Sequence, residues 1–562
     1  MPTRLSSHAL RSVMVRHSRH IFQLFGLSIL LCLFAARVLF FQNVAFSTPD
    51  KIIFLVLAGL AGIFLLLSFT IGTSKSRNFL AKLLQVPENE TAVGDQDKLS
   101  RSLEMSILLI AYGIIFVLYF YFKRAALNLD VARYFNDTRQ YITSAAYQLS
   151  DYRFWFGLRS FSLPLFYKIV GYAFYNYQEQ NAMNRVSYYQ FIFSILCWTG
   201  LAASFSLLMK RKYAKVIAFA CILLLGASLY VTQWDNSMLS ESISTSLMVL
   251  FMAILIIAGI LWDRRQSVSA WKQILFIILI FIVAILFVFS RDTNGYLLLA
   301  FAGGMAIGLF FHSIRRHPLI FSYVAVMAGF LVIFAWLNAS MNIGKRYVVP
   351  LFFTVVYRYI PDQTSLDYFV AHGMPFDDRY LTLRSLNNRQ LMDAENAEKS
   401  VTALWDWVDD HGKNVFVGYL LSRPGYTLFA PFEDIQIWMN GTNTLYRKIL
   451  TPTPFRITLL SDLIYPTWKW TPLLFLFLFV ICSWSVWKSR GREMIWWLIL
   501  ILFLSIYPLA LVLWHTNPED LERHAFQIVL QVRLASWMTI ALLIDRGLAY
   551  LKEHTRLGDF IA

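Results

Sequence analysis

Twelve apolar runs, each long enough to cross a bilayer as a helix, organise this sequence: they lie near 21–41, 52–72, 104–122, 186–209, 215–231, 241–262, 272–290, 296–312, 318–337, 472–487, 494–514 and 526–545. A hydrocarbon layer of about 30 Å needs roughly 20 helical residues to span it. Inside it, only helices and closed barrels leave no backbone group unsatisfied. The chain therefore reads as an all-α polytopic membrane protein. Of its 562 residues 57% are hydrophobic and 15% charged, against about 25% charged in soluble domains. A further stretch, 161–177, is short and aromatic and carries Pro164 and Lys168. Counting it as a crossing would put Lys210, Arg211, Lys212 and Lys215 outside, against the excess of Lys and Arg in cytoplasmic loops. It is read as lying on the outer face.

The net charge of +16 would, in a soluble chain, point first to nucleic acid. With twelve spans and both termini inside, the cytoplasmic segments, with the charged residues Glu104, Lys215, Lys272 and Asp545 at the span ends, hold 24 Lys plus Arg and 10 Asp plus Glu. Most of the charge is thus the inside-positive bias of a membrane protein, and short scattered basic loops form no nucleic-acid groove. Arg4, Arg11, Arg16 and Arg19 precede an apolar stretch too long for a cleaved leader, so a retained first helix is expected. Cys32, Cys197, Cys221 and Cys482 all fall inside expected spans, which leaves no outer disulfide and no CxxC metal motif.

Four regions follow from this layout: two helices and a polar linker over 1–103, a membrane module over 104–337, a large extracytoplasmic domain over 338–470 and C-terminal helices over 471–562. The large domain balances 13 basic against 13 acidic residues, unlike the cytoplasmic loops. Within it a helical pattern covers roughly 391–421, while 345–360 fits a strand or an interfacial helix. Trp405, Trp407 and Trp438 are either sugar-stacking platforms or interface anchors and local core.

Ionisable groups at the membrane surface are the places to look for chemistry, and the first long outer loop, 123–185, holds eight basic and four acidic residues. Asp130 and Asp137 are seven apart, which on one helix puts both on the same face, joined by Tyr141 four residues on. One such carboxylate can take the proton of a hydroxyl nucleophile, and the other can hold a divalent cation. A leaving phosphate needs positive charge nearby; Arg291, at the outer end of the 272–290 run, is the best placed cation, although an Arg at a helix end also pairs with a neighbour such as Asp292 and snorkels. Lys345, Arg346, His515 and His524 are weaker candidates.

The run Asp137-Thr138-Arg139-Gln140-Tyr141 followed by Ser144, Ala145 and Ala146 resembles the D-x-x-x-Y-x-x-x-A opening of the first outer loop in the C-type (GT-C fold) membrane glycosyltransferases. Ser162-Leu163-Pro164-Leu165-Phe166-Tyr167 is similar to their Pro-Leu-Tyr segment, and Asn236-Ser237-Met238-Leu239-Ser240-Glu241 to their N-x-x-L-S-E segment. That family often carries an adjacent acidic pair, whereas here Asn136 precedes Asp137. The resemblance covers about 100–340 and implies a seven-helix module that uses a polyprenyl-phosphate-linked sugar. It implies Asp137 as general base, Glu241 and Asp235 with Asp130 as secondary acids, Arg291 at the donor phosphate and Arg139 and Tyr141 as substrate-binding residues. A Mg or Mn ion on Asp130 and Asp137 is a candidate cofactor. The expected partners are the bilayer, the lipid-linked donor and a glycan, lipid or protein acceptor, at the extracytoplasmic face of the inner (plasma) membrane. Three sequons (Asn136, Asn338, Asn440) also fall outside, and a glycan on Asn136 would block the expected base. Two other readings compete: a lipid-linked polysaccharide polymerase or ligase of the O-antigen type, with its chemistry on Arg423 or His411, and a twelve-helix transporter. Against transport, Arg37 and Arg533 are the only Lys or Arg within the expected spans apart from Lys215 and Lys272 at their cytoplasmic ends.

Overall fold

The computed structural model describes residues 95–554, apart from 128, 130, 172–178, 264–268, 379, 384–398, 441–454, 468–469, 491 and 519–520. The runs expected at 21–41 and 52–72, with Cys32 and Arg37, lie outside the described residues, as does Asp130. The chain divides after Tyr121 into two compact units, and the first contributes Asp95–Tyr121 to the described residues.

All ten expected runs within the described residues are helical, and no strand occurs among those residues. In chain order the elements that matter are α1 (Asp95–Ala125), α2 (Asn136–Ala146), α3 (Tyr152–Phe156), α4 (Ser162–Ile169), α5 (Gln180–Leu208), α6 (Lys212–Ala227), α7 (Ser240–Asp263), α8 (Ala270–Val288), α9 (Asn294–Gly308), α10 (Ile320–Ile343), α11 (Thr471–Ser489) and α12 (Leu521–His554). Eight described helices are long and apolar enough to cross a membrane, and a bent pair raises this to nine. The tenth run forms α9, only 15 residues long. It packs tightly: a Cβ on Gly304 would stand 2.5 Å from Ile501. The stretch at 161–177 contributes the eight-residue α4, too short to cross.

The run expected at 215–231 departs from a simple span. Helix α6 stops at Ala227, and after a 49° bend the chain continues as a short helical piece, Leu229–Asn236. A break inside the membrane region requires new partners for the freed backbone groups. The Leu229 N–H donates to Ser461 Oγ at 2.9 Å, and Tyr230 stacks on Tyr465 with ring centroids 4.4 Å apart.

The large domain is helical where described. Residues 345–360, open between strand and helix in the sequence, form Val348–Thr354 and a π turn, Val355–Tyr359. The helical pattern expected over 391–421 appears as Lys399–Trp407, a π turn and Lys413–Ser422. Tyr359, Phe369, Leu404, Val408 and Tyr419 form their common core. Trp407 and Trp438 are buried, which makes them local core and not exposed sugar platforms, and the half-buried Trp405 packs against that core on Phe352 with centroids 4.9 Å apart. Arg533, buried within α12, donates to the carbonyls of Met439 and Pro466 at 2.8 and 2.5 Å and lies 4.0 Å from the Tyr465 ring. One guanidinium on an apolar helix thereby holds two points in the C-terminal part of the large domain.

Candidate active site

Helix α2 begins at Asn136 because the residues before it are committed elsewhere. Arg133 N–H donates to Asn236 O at 2.8 Å and Met238 N–H to Arg133 O at 2.9 Å, a short parallel bridge that lays 132–135 against the segment entering α7. Thr138 closes the joint: its Oγ1 accepts from Phe135 N–H at 3.0 Å and donates to Met238 O at 2.8 Å. The helix that carries Asp137 starts at Asn136 and residues 132–135 before it are extended; Asp130, expected on the same helical face, lies outside the described residues. The bridge brings two helix starts together. Asp137 lies in the first turn of α2 and Glu241 in the first turn of α7, where unpaired N–H groups favour negative charge.

Two guanidiniums then meet at Asp137. Arg159, from the loop between α3 and α4, donates through Nη2 to Asp137 Oδ1 at 2.8 Å and through Nε to Gln140 Oε1 at 2.7 Å; it also sits 4.9 Å from the Tyr141 ring centroid. Residues i, i+3 and i+4 of one helix thus grip one cation. Arg523, at the start of α12, donates through Nη2 to Asp137 Oδ2 at 2.8 Å and through Nε to Glu241 Oε1 at 2.9 Å. Arg291 lies 3.7 Å from the same Glu241 oxygen, and its Nη2 is 2.7 Å from His524 Nδ1. Burial alone would raise the Asp137 carboxyl, but Arg159 and Arg523 outweigh it and hold it well below the usual carboxylate range.

The sequence candidates separate accordingly. Asp137, Glu241, Arg291 and Tyr141 converge, with His524 beside them. Asp235 does not join them: its carboxylate is buried on Lys123 Nζ at 2.7 Å and accepts from Ser242 Oγ at 2.7 Å. Arg139 is exposed on α2, and none of these ion pairs involves it. Arg291 does not pair with Asp292, which takes both Nε and Nη2 of the buried Arg346 at 3.0 and 3.1 Å. Arg346 also donates to Gly157 O at 3.1 Å, tying the loop before Arg159 to the loop carrying Arg291. Lys345 pairs with Asp409 within the outer domain, and His515, on the C-terminal helix Ile506–Thr516, contacts Thr427 O of that domain at 3.0 Å. Arg159 and Arg523 were missed by sequence reasoning. The signal for Arg159 was its place just before the Ser162–Tyr167 segment, and for Arg523 a charged run, Glu519 to His524, directly before an apolar helix.

The Lys123–Asp235 pair fixes the bridge from below, since Lys123 Nζ also donates to Gly226 O at 3.1 Å at the helix break. Here Gly226 is required, because a Cβ would come within 2.6 Å of the Trp198 ring. Lys123→Met alone is expected to cost about 3–5 kcal/mol by stranding a buried carboxylate, and Lys123→Met with Asp235→Leu to recover most of it; thermal unfolding of the two variants in detergent checks this.

No family model and no curated protein matches the chain. It is similar to two solved archaeal oligosaccharyltransferase structures. One is AglB from Archaeoglobus fulgidus in complex with an inhibitory peptide and a dolichol-phosphate, 12% identical, with 78% of this chain and 51% of that chain covered at a TM-score of 0.42. The other is the A. fulgidus oligosaccharyltransferase tethered to an acceptor peptide containing the NVT sequon, 12% identical, with 80% and 51% covered at a TM-score of 0.40. The chain spans about half the length of these two structures.

Both carboxylate oxygens of Asp137 face guanidiniums; Asp130, the other carboxylate expected to hold a Mg or Mn ion, lies outside the described residues.

Proposed function

We propose that the chain is an integral-membrane glycosyltransferase that moves a sugar from a polyprenyl-phosphate donor to an acceptor hydroxyl of a glycan, lipid or protein, by single displacement with inversion. The observation that carries this reading is the cluster in which one partly exposed carboxylate, Asp137, meets Arg159 and Arg523 directly and Arg291 through Glu241. The acceptor oxygen forms a bond to the anomeric carbon and its proton passes to Asp137. The bond from that carbon to the phosphate oxygen breaks, and the electron pair stays on the phosphate. Three guanidiniums supply the charge that this oxygen develops, with Arg favoured over Lys for its planar fork of donors. The inside-positive bias supports an extracytoplasmic site in the plasma membrane, with both termini cytoplasmic, and the module over 104–337 holds every member of the cluster but Arg523 and His524.

The test is release of polyprenyl phosphate from a panel of synthetic polyprenyl-phosphate sugars by the purified protein in nanodiscs. Release and sugar transfer by the wild type are expected, unchanged within about twofold in His411→Ala and Arg423→Ala, since surface changes outside a site are commonly near neutral. Arg423 in this structure donates to Thr364 O at 3.0 Å and lies 4.8 Å from the Tyr419 ring centroid. Loss of activity in those two variants would move the chemistry to the large domain and favour a polymerase or ligase.

A further inference from the structure

The cluster has a feature that simple pairing of charges does not require. Each guanidinium at Asp137 is anchored through Nε to a second acceptor, Arg159 on Gln140 at 2.7 Å and Arg523 on Glu241 at 2.9 Å. Only the terminal Nη2 arms reach Asp137, each at 2.8 Å. An arm held in this way can exchange one oxygen for another with a small torsional change while its anchor stays in place. The Asp137 side chain is also the most exposed member of the pairs, at 29%, against 25% for Arg159, 11% for Arg523 and 0% for Glu241. A molecule arriving from solvent or the membrane surface meets the Asp137 end first.

A carboxylate bracketed by two guanidiniums is a poor base. Its lone pairs accept charge-assisted hydrogen bonds, and the positive charge around it favours the deprotonated form. Held by both arms, Asp137 is therefore inactive as a proton acceptor even though it is the base of the proposed reaction.

We propose that the donor phosphate competes with Asp137 for the Nη2 arms of Arg159 and Arg523, so that donor binding itself uncovers the base. This inference rests on the glycosyltransferase reading and adds an order of events to it. The phosphodiester oxygens take the two arms and Gln140 and Glu241 keep the anchors. Asp137, no longer neutralised and now beside an anion, becomes more basic when an acceptor hydroxyl needs deprotonation. Tyr141 on the same helix, Glu241 on α7, Arg291 after α8 and His524 on α12 are the other titratable or charged groups facing this exchange. Without donor, water at the site meets a masked carboxylate. After transfer, the polyprenyl phosphate carries one more negative charge and holds the arms until it leaves.

Competition predicts that removing the base improves donor binding. The probe is the methyl diester of a polyprenyl phosphate, which lacks a sugar and does not titrate near neutrality, with affinity measured on the full-length protein in nanodiscs. Asp137→Asn is expected to bind it at least about tenfold tighter than wild type, the size of coupling found within one ion-pair network. The gap should persist at high salt, where a general field effect is screened. Arg159→Gln introduced into Asp137→Asn should abolish that gain. Wild-type binding with equal or weaker binding by Asp137→Asn would overturn the exchange and leave the transferase reading standing. A gain that disappears at high salt would also overturn it, as unspecific attraction. Absence of probe binding by wild type and by Asp137→Asn would overturn both the exchange and the transferase reading.

Discussion

Asp137→Asn is expected to lower sugar transfer by about a thousandfold, within the range attributed to a positioned general base, while leaving the fold intact. The amide is nearly isosteric with the carboxylate. Arg159 keeps Gln140 and the Tyr141 ring, and Arg523 keeps Glu241. Neither guanidinium is left without a partner, so the melting temperature should move little. The informative comparison is between steps: initial rates of polyprenyl phosphate release at saturating donor should fall, and apparent donor affinity should not. Retention of more than about a tenth of wild-type activity would remove Asp137 from the role of base, because that loss is smaller than this mechanism normally contributes. Asp137→Glu provides a geometric control. It keeps the charge but moves the carboxyl by one methylene, a displacement large enough to cost catalysis when the reacting atoms must align.

The sequence revealed the architecture more fully than the site. Apolar length alone placed the ten runs that are helical within the described residues, because a bilayer imposes one requirement on every span and that requirement is local in sequence. The break after Ala227 was not legible: its stabilising partners, Ser461 and Tyr465, lie more than two hundred residues away. At the site, Asp137 could be singled out as one of four acids in the long outer loop, and Glu241 from the N-x-x-L-S-E segment that ends on it. Their meeting depends on the bridge from Arg133 to Asn236 and Met238, which uses backbone groups that every residue possesses. Arg523 read as an ordinary charged residue beside a span, since nothing local distinguishes an Arg that snorkels from one that turns inward. Asp235 shows the reverse error. Its neighbourhood in sequence matched that of Glu241, but a lysine from another helix claims it.

Arg523→Gln is expected to have the second large effect, and it separates stability from catalysis in a way that Asp137 cannot. Glu241 is almost fully buried, and its Oε2 atom makes no hydrogen bond. Without Arg523, the nearest described cation to its other oxygen is Arg291 at 3.7 Å, too long for a good hydrogen bond. A buried carboxylate so deprived costs about 3–5 kcal/mol, so Arg523→Gln should unfold at clearly lower temperature as well as lose transfer. Adding Glu241→Gln to Arg523→Gln removes the stranded charge and should restore most of the stability, because two neutral amides can hydrogen-bond where the ion pair stood. Transfer should not return: the restored protein still lacks the Nη2 arm that would meet the phosphate. Recovery of both properties in the double variant would show that Arg523 serves only to neutralise Glu241. Recovery of melting temperature alone would leave catalysis dependent on the guanidinium itself, as expected for a group that contacts the departing phosphate.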